Sequence, residues 1–348
     1  MTQRSMPNKF SCDAQALWTT GPETLELRLQ EVRRPAEGEV LVRTLWSGIS
    51  LGTERLVFTG AVPESEWQRM RAPFQEGDFP FPVKYGYACV GEIVEGDPAR
   101  TGETVFVLHP HQTHFTVSGS AAVKIPAGVP ARRAILAANM ETALNGLWDG
   151  GASPGDHVAV VGGGVVGLLV AYLAARLPGT RVTVVDTDPA KERHAHALGA
   201  AFALPGDAPL DQDLVFHTSG HPSGLDTALS LAGREAKVVE MSWYGAKPVT
   251  AHLGGGFHSR RLTLRSSQVG SLPPDRQARW TYRRRMETAL SLLCDPALDT
   301  LISPPISIAQ AAERLPDIFA GRVPVLAQPI RHGAENDVQN NDGPAAAP

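Results

Sequence analysis

Residues 157–186 read HVAVVGGGVVGLLVAYLAARLPGTRVTVVD, an apolar run, a glycine-rich turn, a helix-like segment and a second apolar run. The two runs, Val158–Val161 and Arg181–Val185, have the β-branched composition of strands that are buried on both faces. The Ala- and Leu-rich segment between them, Leu168–Leu177, is typical of a helix. The pattern predicts a strand–helix–strand unit of a parallel sheet.

Three glycines at G-x-G-x-x-G spacing, Gly162, Gly164 and Gly167, separate the first predicted strand from the helix. In a dinucleotide-binding turn, the first glycine permits the tight turn, the second lets the backbone approach a pyrophosphate, and the third lets helix and strand pack closely. The N–H groups at the start of the helix, around Val165 and Val166, would face the phosphates. A bare structural turn is the alternative, but the strand, the helix and a following acidic residue all lie where a dinucleotide needs them.

Asp186, at the end of the second run, indicates which dinucleotide is bound. A carboxylate at this position accepts hydrogen bonds from the adenosine ribose of NAD and repels the 2′-phosphate of NADP. Thr187 and Asp188 follow, with no adjacent arginine to bind that phosphate. Lys191 and Arg193 come soon after and are expected at the ribose edge or on the solvated face of the next helix. NAD is the predicted cofactor.

The composition limits the class of protein. A chain of 348 residues is long enough for two domains, and a net charge of −4 gives no basic field for nucleic acid. No apolar stretch reaches the ~20 residues of a membrane helix, and the first residues lack the apolar core of a secretory signal. The scattered Cys12, Cys89 and Cys294 suit a reducing cytoplasm and exclude a disulfide framework or a cysteine-rich zinc lobe.

The remaining chain reads as a β-rich region followed by alternating strands and helices. Strands are expected at 16–19, 24–31, 39–45, 82–94, 104–108 and 123–126, with a turn at 46–55 that enters a short helix and a helical pattern within 60–82. Helices are expected at 134–148, 190–198, 225–232, 277–294 and 308–320, and strands at 214–217, 237–241 and 265–269. The polar, then Pro/Ala-rich tail from Gly333 is predicted to be disordered.

This order of elements resembles the medium-chain dehydrogenase/reductase superfamily, the alcohol and polyol dehydrogenases, over residues 25–332. The segment SGISLGTER at 47–55 is similar to the subgroup related to bacteriochlorophyllide dehydrogenase and threonine-dehydrogenase-like proteins. The resemblance implies a GroES-like β-rich catalytic domain (1–139 and 271–332) and an α/β Rossmann domain with a doubly wound parallel sheet (140–270). It also implies an active site in the cleft between the domains and a homodimer or homotetramer.

The positions that match the zinc ligands of this superfamily carry other residues. The family's G-V-C-x-[ST]-D loop corresponds to residues 48–54 with one extra residue, so that Ser50 replaces the metal-binding cysteine, while Thr53 and Glu54 keep the relay hydroxyl and the acid. The family's G-H-E corresponds to Gly86-Tyr87-Ala88, and the third ligand would align near Ala138. Zinc needs three or four convergent thiolate, imidazole or carboxylate ligands. We therefore predict no metal at this site.

Three histidines offer an alternative metal site. His109, His111 and His114 follow a predicted strand, and H-x-H spacing on a strand would place the first two on one face. Pro110 interrupts that geometry, and histidines in a loop are more often solvated. We keep the metal site as an alternative to a solvated loop.

Without a metal, hydroxyl groups must stabilise the charge on the reacting oxygen. Tyr87 stands where the resemblance places a zinc ligand, and Thr53 and Ser50 could hold the same oxygen. His109 or His111 could exchange protons with solvent. The alternatives are that Tyr87 only fills the vacated metal space and that the histidines have no catalytic role.

Two further segments match cofactor-contacting positions of the superfamily. Trp243 and Tyr244 would lie beside the nicotinamide, and Thr218 and Ser219 beside the adenosine. The basic segment 258–265, HSRRLTLR, is either a solvated loop or an anion clamp for the substrate.

These observations predict a zinc-free, NAD-dependent oxidoreductase that acts on a secondary alcohol or ketone of small size, without nucleic acid or membrane partners. One alternative is a zinc-free reductase of activated double bonds. The other is a non-catalytic dinucleotide-binding protein that has kept only the fold.

Overall fold

The computed structural model describes residues 10–333, which form two compact units. Unit 1 comprises the chain up to Ala137 and the segment from Ser303 on, and unit 2 is Ala138–Ile302. Residues 271–302, assigned from sequence to the GroES-like domain, therefore group with unit 2. The physical reason is the buried Arg285, which donates to Glu141 Oε1 at 3.0 Å and to Asn145 Oδ1 at 2.5 Å within that unit. The predicted tail after Gly333 lies outside the described residues.

The strands and helices are numbered separately, each in chain order. The strands are β1 (Phe10–Gly21), β2 (Thr24–Arg33), β3 (Glu39–Ile49), β4 (Glu76–Gly77), β5 (Val83–Lys84), β6 (Cys89–Glu95), β7 (Thr104–Val107), β8 (His114–Ser118), β9 (Val123–Lys124), β10 (His157–Val161), β11 (Arg181–Val185), β12 (Ala201–Ala203), β13 (Gln212–His217), β14 (Ala232–Glu240), β15 (Thr263–Ser266), β16 (Ile306–Ser307) and β17 (Gln328–Arg331). The α-helices are α1 (Leu51–Phe58), α2 (Ala131–Ala134), α3 (Ala137–Gly150), α4 (Val165–Ala174), α5 (Glu192–Ala197), α6 (Pro222–Leu231), α7 (Pro274–Gln277), α8 (Tyr282–Leu292) and α9 (Ile308–Phe319).

Unit 2 is built on a six-stranded sheet in the order β12-β11-β10-β13-β14-β15, with every neighbouring pair parallel. The chain starts at the central strand β10, runs to one edge and then returns to the other side, which is the doubly wound order of a Rossmann fold. The apolar run of β10 is buried from Val158 to Val161, as expected for a strand covered on both faces. The predicted α/β class is confirmed.

Unit 1 is β-rich. A seven-strand sheet contains β16-β17-β3-β6-β7-β9, with β8 paired to β3, and a smaller sheet has the order β2-β1-β5-β4. Helices α1 and α9 pack on the sheets through an apolar cluster that includes Leu17, Ile49, Phe58, Leu315 and Phe319. Strand β17 pairs antiparallel with β3, so that the last described strand completes the sheet that carries the first candidate site residues.

Among the segments of unit 1 that differ from the sequence prediction are residues 46–49 and 60–82. Strand β3 continues to Ile49, through residues predicted as a turn. The predicted helical pattern within 60–82 gives only a single 3₁₀ turn at Glu64–Glu66 and the two-residue strand β4. Pro63 and Pro73 lie at the two ends of the segment that has the helical pattern. The residues between the two prolines are too few for a stable helix.

Candidate active site

The glycine turn after β10 has the geometry expected of a dinucleotide-binding loop. Gly162 has a φ of +112°, and a Cβ there would meet the backbone nitrogen of Ser219 at 2.6 Å. A Cβ on Gly167 would collide with the carbonyl oxygen of Gly162. Gly164, by contrast, has no atom within 4 Å of its Cβ position. The first and third glycines are therefore required for packing, and the second leaves open space beside the loop.

The N-terminus of α4 adjoins this open space. Its N-cap is Gly164, and no side chain caps the helix. Val165 and Val166 are half-buried, while Gly164 is exposed. The first N–H groups of a helix have no partners within the helix, and here they lie at an open turn. This arrangement fits the phosphates of a dinucleotide.

Asp186 lies beside the same turn. Its Oδ2 accepts the backbone N–H of Gly163 at 2.6 Å, and its Oδ1 accepts that of Asp188 at 2.9 Å. The side chain is only half-buried, so the carboxylate keeps free lone pairs for a ribose hydroxyl. The stem of Lys191 approaches Gly163, and its amine lies 4.0 Å from Asp188.

A polar cluster occupies the carboxyl ends of β13 and β14, where open parallel sheets bind ligands. Thr218 donates to the carbonyl of Gly162 at 2.9 Å, which ties the segment to the glycine turn. The hydroxyl of Tyr244 donates to Glu240 at 3.0 Å. Trp243 is half-buried next to it.

His217 and Glu240 form the centre of this cluster, and sequence reasoning missed both. His217 Nδ1 lies 2.8 Å from Glu240 Oε2, and its Nε2 lies 2.7 Å from Ser219 Oγ. Burial alone would raise the pKa of Glu240, but hydrogen bonding and the charge of His217 outweigh it and lower the pKa. Two polar residues closing adjacent buried strands were the only available sequence signal.

In unit 1, Tyr87 lies with the hydroxyl side chains that sequence reasoning grouped with it. Its phenol hydrogen-bonds the side chains of Ser50 and Thr53. Burial is the main cause that raises the pKa of Tyr87 to about 12, and the charge of Glu54 adds to it; the two hydroxyl hydrogen bonds act in the opposite direction. Tyr87 is therefore a hydrogen-bond donor at neutral pH.

Glu54 and His111 lie together beside this cluster. Glu54 is in the first turn of α1, where the helix dipole favours a negative charge. Its Oε1 accepts the backbone N–H of Ser50 at 2.7 Å, and its Oε2 lies 2.9 Å from His111 Nε2. Gly86 forms one wall for the ring: it has a φ of +122°, and a Cβ there would meet His111 Nε2 at 2.6 Å.

Two further side chains extend this pair, and neither was identified from the sequence. His111 Nδ1 lies 2.9 Å from Ser47 Oγ, which lies 2.8 Å from His332 Nε2. All of these side chains are buried. Ser47 and His332 are 285 positions apart, and no sequence signal connects them.

Comparisons with known proteins extend over most of the chain. A family model described as the alanine dehydrogenase/PNT C-terminal domain matches residues 130–221. The chain is 29% identical over 257 residues to the 2-desacetyl-2-hydroxyethyl bacteriochlorophyllide A dehydrogenase of Cereibacter sphaeroides, covering 66% of this chain and 74% of the relative. It is 27% identical over 340 residues to the D-guloside 3-dehydrogenase of Escherichia coli, covering 85% and 93%.

The fold agrees with these matches. The crystal structure of 2R,3R-butanediol dehydrogenase from Bacillus subtilis aligns with a TM-score of 0.74 at 18% identity and covers 92% of this chain and 100% of the other. Together these matches support the medium-chain dehydrogenase/reductase superfamily. The resemblance stated from the sequence is confirmed, as is the combination of a Rossmann fold with a GroES-like β-rich domain.

The three loop histidines of unit 1 have different surroundings. The ring of His109 stacks on Phe115 with centroids 3.7 Å apart and planes 7° apart, and burial lowers its pKa to about 3. Burial also lowers the pKa of His114, and His111 is directed to Glu54 and Ser47. Within residues 10–333, no three His, Cys, Asp or Glu side chains are placed to hold a metal ion.

The arginines of the basic segment are bound to neighbouring groups of unit 2. Arg260 donates to the carbonyl of Ala232 at 2.9 Å, and Arg261 pairs with Glu235 at 2.8 Å. Arg265 pairs with Asp149 at 2.7 Å. These contacts favour a structural role over an anion clamp. None of the helices in the described part of this dehydrogenase is long and apolar enough to cross a membrane.

Proposed function

We propose that this alcohol dehydrogenase-like oxidoreductase converts a secondary alcohol to a ketone, or the reverse, with NAD and without catalytic zinc. The observation that carries the proposal is the phenol of Tyr87, held by Ser50 and Thr53 beside the buried Glu54–His111 pair. Unit 2 supplies the cofactor site, and unit 1 supplies the groups that bind the reacting oxygen.

The residues of unit 2 fit a nicotinamide dinucleotide. The open turn at Gly164 and the uncapped start of α4 would hold the pyrophosphate, and Asp186 would accept from the ribose. When bound, the nicotinamide ring supplies the hydride acceptor or donor. Thr218, Ser219, Trp243 and Tyr244 are proposed to contact the cofactor.

The choice of NAD over NADP depends on Asp186. Its carboxylate is fixed by the N–H groups of Gly163 and Asp188, so it cannot readily turn away from a 2′-phosphate. The resulting like-charge repulsion disfavours NADP. Lys191 is directed at Asp188 and offsets this only in part.

On the substrate side, Tyr87 would donate a hydrogen bond to the oxygen as negative charge develops on it. A pKa raised to about 12 keeps the phenol protonated, so Tyr87 serves as a donor and not as a base. Thr53 and Ser50 orient this hydroxyl. Such donors are most effective where water is excluded and they are already in place. We leave His109 out of the mechanism because its ring is stacked in the core.

The zinc-free part of the proposal is supported by the donor set. Ser50, Tyr87 and Ala88 offer no thiolate, imidazole or carboxylate, and His111 and Glu54 bind each other. A catalytic zinc ion is held by three protein ligands in addition to water, and this pair supplies only two. No step of the mechanism therefore uses a metal.

The relatives support the class of substrate. Both are named as dehydrogenases, one of a hydroxyethyl bacteriochlorophyllide and one of a guloside at position 3. A hydroxyl-bearing small molecule is the corresponding proposal for this chain. Cytoplasmic location and a homodimer or homotetramer remain predictions, and light scattering of the purified protein tests the latter.

The test is a screen of secondary alcohols and ketones, followed by the absorbance of NADH, with metal content measured on the same sample. We expect turnover with less than one zinc per chain and no effect of chelator. In Tyr87→Phe, we expect kcat to fall about a hundred- to a thousandfold, while NADH affinity is unchanged. Tyr172→Phe, which removes a buried phenol that bonds Asp295, is the control and should keep its activity.

Each alternative outcome has a clear meaning. Zinc that is stoichiometric and required for turnover would overturn the metal-free proposal. Turnover within about threefold of wild type in Tyr87→Phe would mean that Tyr87 only fills space. Solvent deuterium at carbon would indicate a double-bond reductase, and a lack of any turnover across a broad panel would favour the non-catalytic alternative.

A further inference from the structure

The four side chains Glu54, His111, Ser47 and His332 form one continuous hydrogen-bonded chain inside unit 1. The successive distances are 2.9 Å, 2.9 Å and 2.8 Å. The residues come from α1, the loop after β7, strand β3 and the segment after β17. Their exposed fractions are 6%, 1%, 0% and 2%. Because these four side chains are shielded from water, each of them depends on its neighbours in the hydrogen-bonded chain for its partners.

The direction of the donors along this chain follows from its two ends. At one end, the Oε1 of Glu54 accepts from Ser50 N–H, and the carboxylate accepts from His111 Nε2–H at its other oxygen. His111 then has a lone pair at Nδ1 and accepts from the Ser47 hydroxyl. Ser47 in turn accepts from His332 Nε2–H.

The other end of the chain agrees with this direction. His332 Nδ1 is buried and has no hydrogen-bond partner among residues 10–333. In the direction given above, this nitrogen has a lone pair and no hydrogen. In the opposite direction it would carry a hydrogen, and orphaned buried N–H groups are rare in folded proteins. The chain therefore has one favoured set of tautomers, with the hydrogen on Nε2 of both rings.

The hydrogen-bonded chain is linked to Tyr87 through Ser50. Glu54 holds the backbone of Ser50, and the side chain of Ser50 bonds the phenol of Tyr87. The ring of His111 is confined on its other side by Gly86, the residue before Tyr87. A change in the tautomer of His111 would remove the hydrogen bond to Glu54 and disturb the group that holds Ser50.

We propose that Ser47 and His332 are positioning residues of this oxidoreductase: they fix the tautomer of His111, which holds Glu54 and, through Ser50, the hydroxyl of Tyr87. This role rests on the proposed function of Tyr87, but the tautomer itself is a property of the protein without substrate. The two parts can therefore be tested separately.

The first experiment measures the tautomers by NMR on the full chain labelled with ¹⁵N in histidine, without substrate or cofactor. The ring signals of His111 are assigned by their loss in His111→Asn. We expect the His111 ring to donate from Nε2 to Glu54 and to accept a hydrogen bond at Nδ1 from Ser47. In Ser47→Ala the Nδ1 signal should shift to that of a nitrogen without a donor. The control is Thr116→Val, which removes the hydrogen bond from the Thr116 hydroxyl on β8 to the carbonyl of Arg33 on β2. This variant should leave the Nδ1 signal of His111 unchanged.

The second experiment measures kcat, KM and NADH affinity of the same variants. We expect Ser47→Ala to lower kcat about three- to tenfold, the loss of one neutral hydrogen bond, with NADH affinity within about twofold of wild type. His332→Gln keeps a donor toward Ser47 and should retain most of the activity, whereas His332→Leu should resemble Ser47→Ala.

The outcomes distinguish the two proposals. Unchanged His111 signals in both Ser47→Ala and His332→Leu would overturn the positioning role, whatever the activity. Shifted signals with unchanged kcat would also overturn it, because the tautomer would not matter to the reaction. If Ser47→Ala does not fold, the His332→Gln and His332→Leu pair decides in the same way. A wild type without turnover would refute the proposed function while the NMR result still determined the tautomer.

Discussion

Replacing Glu54 with glutamine changes one acceptor of the buried chain into a donor and keeps the shape of the side chain. Glu54 accepts from Ser50 N–H at 2.7 Å and from His111 Nε2 at 2.9 Å. A glutamine has one accepting oxygen and one donating nitrogen. It can therefore satisfy only one of these two donors as they stand.

Either arrangement of the new amide leaves a buried donor without an acceptor. If its nitrogen faces Ser50, the backbone N–H of Ser50 loses its partner. If its nitrogen faces His111, the chain must reverse through Ser47 to His332, whose Nδ1 then carries a hydrogen with no partner among the described residues. Because an unsatisfied buried donor costs about 1–3 kcal/mol, we expect the free energy of unfolding to fall by about 1–3 kcal/mol.

The assay is urea unfolding of the full chain, combined with hydrogen exchange of the amides of β3 and β6 to follow unit 1. Glu92→Gln is the matched control, because Glu92 pairs with Arg43 at 2.8 Å with 29% and 36% of the two side chains exposed. An exposed pair of this kind contributes less than about 1 kcal/mol. Equal stability of the two variants would refute the reasoning, because the two donors that face Glu54 would then not depend on its two accepting oxygens.

Three other perturbations follow from the structure. Burial lowers the pKa of His109 and His332 to about 3, whereas an unfolded histidine titrates near ~6.5. Between these two pH values the unfolded state binds more protons than the folded state. The free energy of unfolding should therefore fall as the pH drops below about 6.5, by up to ~1.4 kcal/mol per pH unit for each ring. Urea unfolding between pH 5 and 7 measures how the free energy of unfolding depends on pH. His332→Gln should remove the contribution of His332 to this dependence, and an unchanged dependence would contradict the lowered pKa of His332. Gly86→Ala should lower the free energy of unfolding by about 2 kcal/mol or more, because of the positive φ and the contact with His111. The control Gly128→Ala measures the contribution of positive φ alone, because Gly128 has a φ of +89° and nothing lies within 4 Å of its Cβ position. Equal losses of stability in the two variants would show that the contact with His111 contributes nothing. Asp186→Ser with Thr187→Arg should shift binding from NAD toward NADP by roughly ten- to a hundredfold, measured by calorimetry; tighter NADPH than NADH binding by the wild type would exclude the ribose role of Asp186.

The dinucleotide unit could be predicted from sequence because its determinants are local. The apolar runs, the glycine spacing and the closing Asp186 all lie within thirty residues, and each obeys a short-range rule of backbone geometry or burial. The same holds for Ser50, Thr53 and Tyr87, whose positions in known loops were enough to group them. The structure brings these three side chains together.

The buried chain could not be predicted because its partners are selected by tertiary structure. Ser47 reads as an ordinary polar residue in a strand, and His332 lies 285 positions away. The two loop histidines show the same limit. H-x-H spacing places both rings on one face only in a continuous strand, but β7 ends at Val107, so His109 stacks on Phe115 while His111 contacts Glu54.

The pairing of β17 with β3 has a consequence for synthesis of the protein on the ribosome. Strand β3 and Ser47 are made early, but their partners β17 and His332 are among the last described residues. All of unit 2 is translated before them, since it ends at Ile302. At about 5–20 residues per second, the nascent chain therefore spends a few seconds with a complete nucleotide-binding unit and an open sheet edge on β3. During this interval a chaperone that covers exposed strands would have its best opportunity to bind.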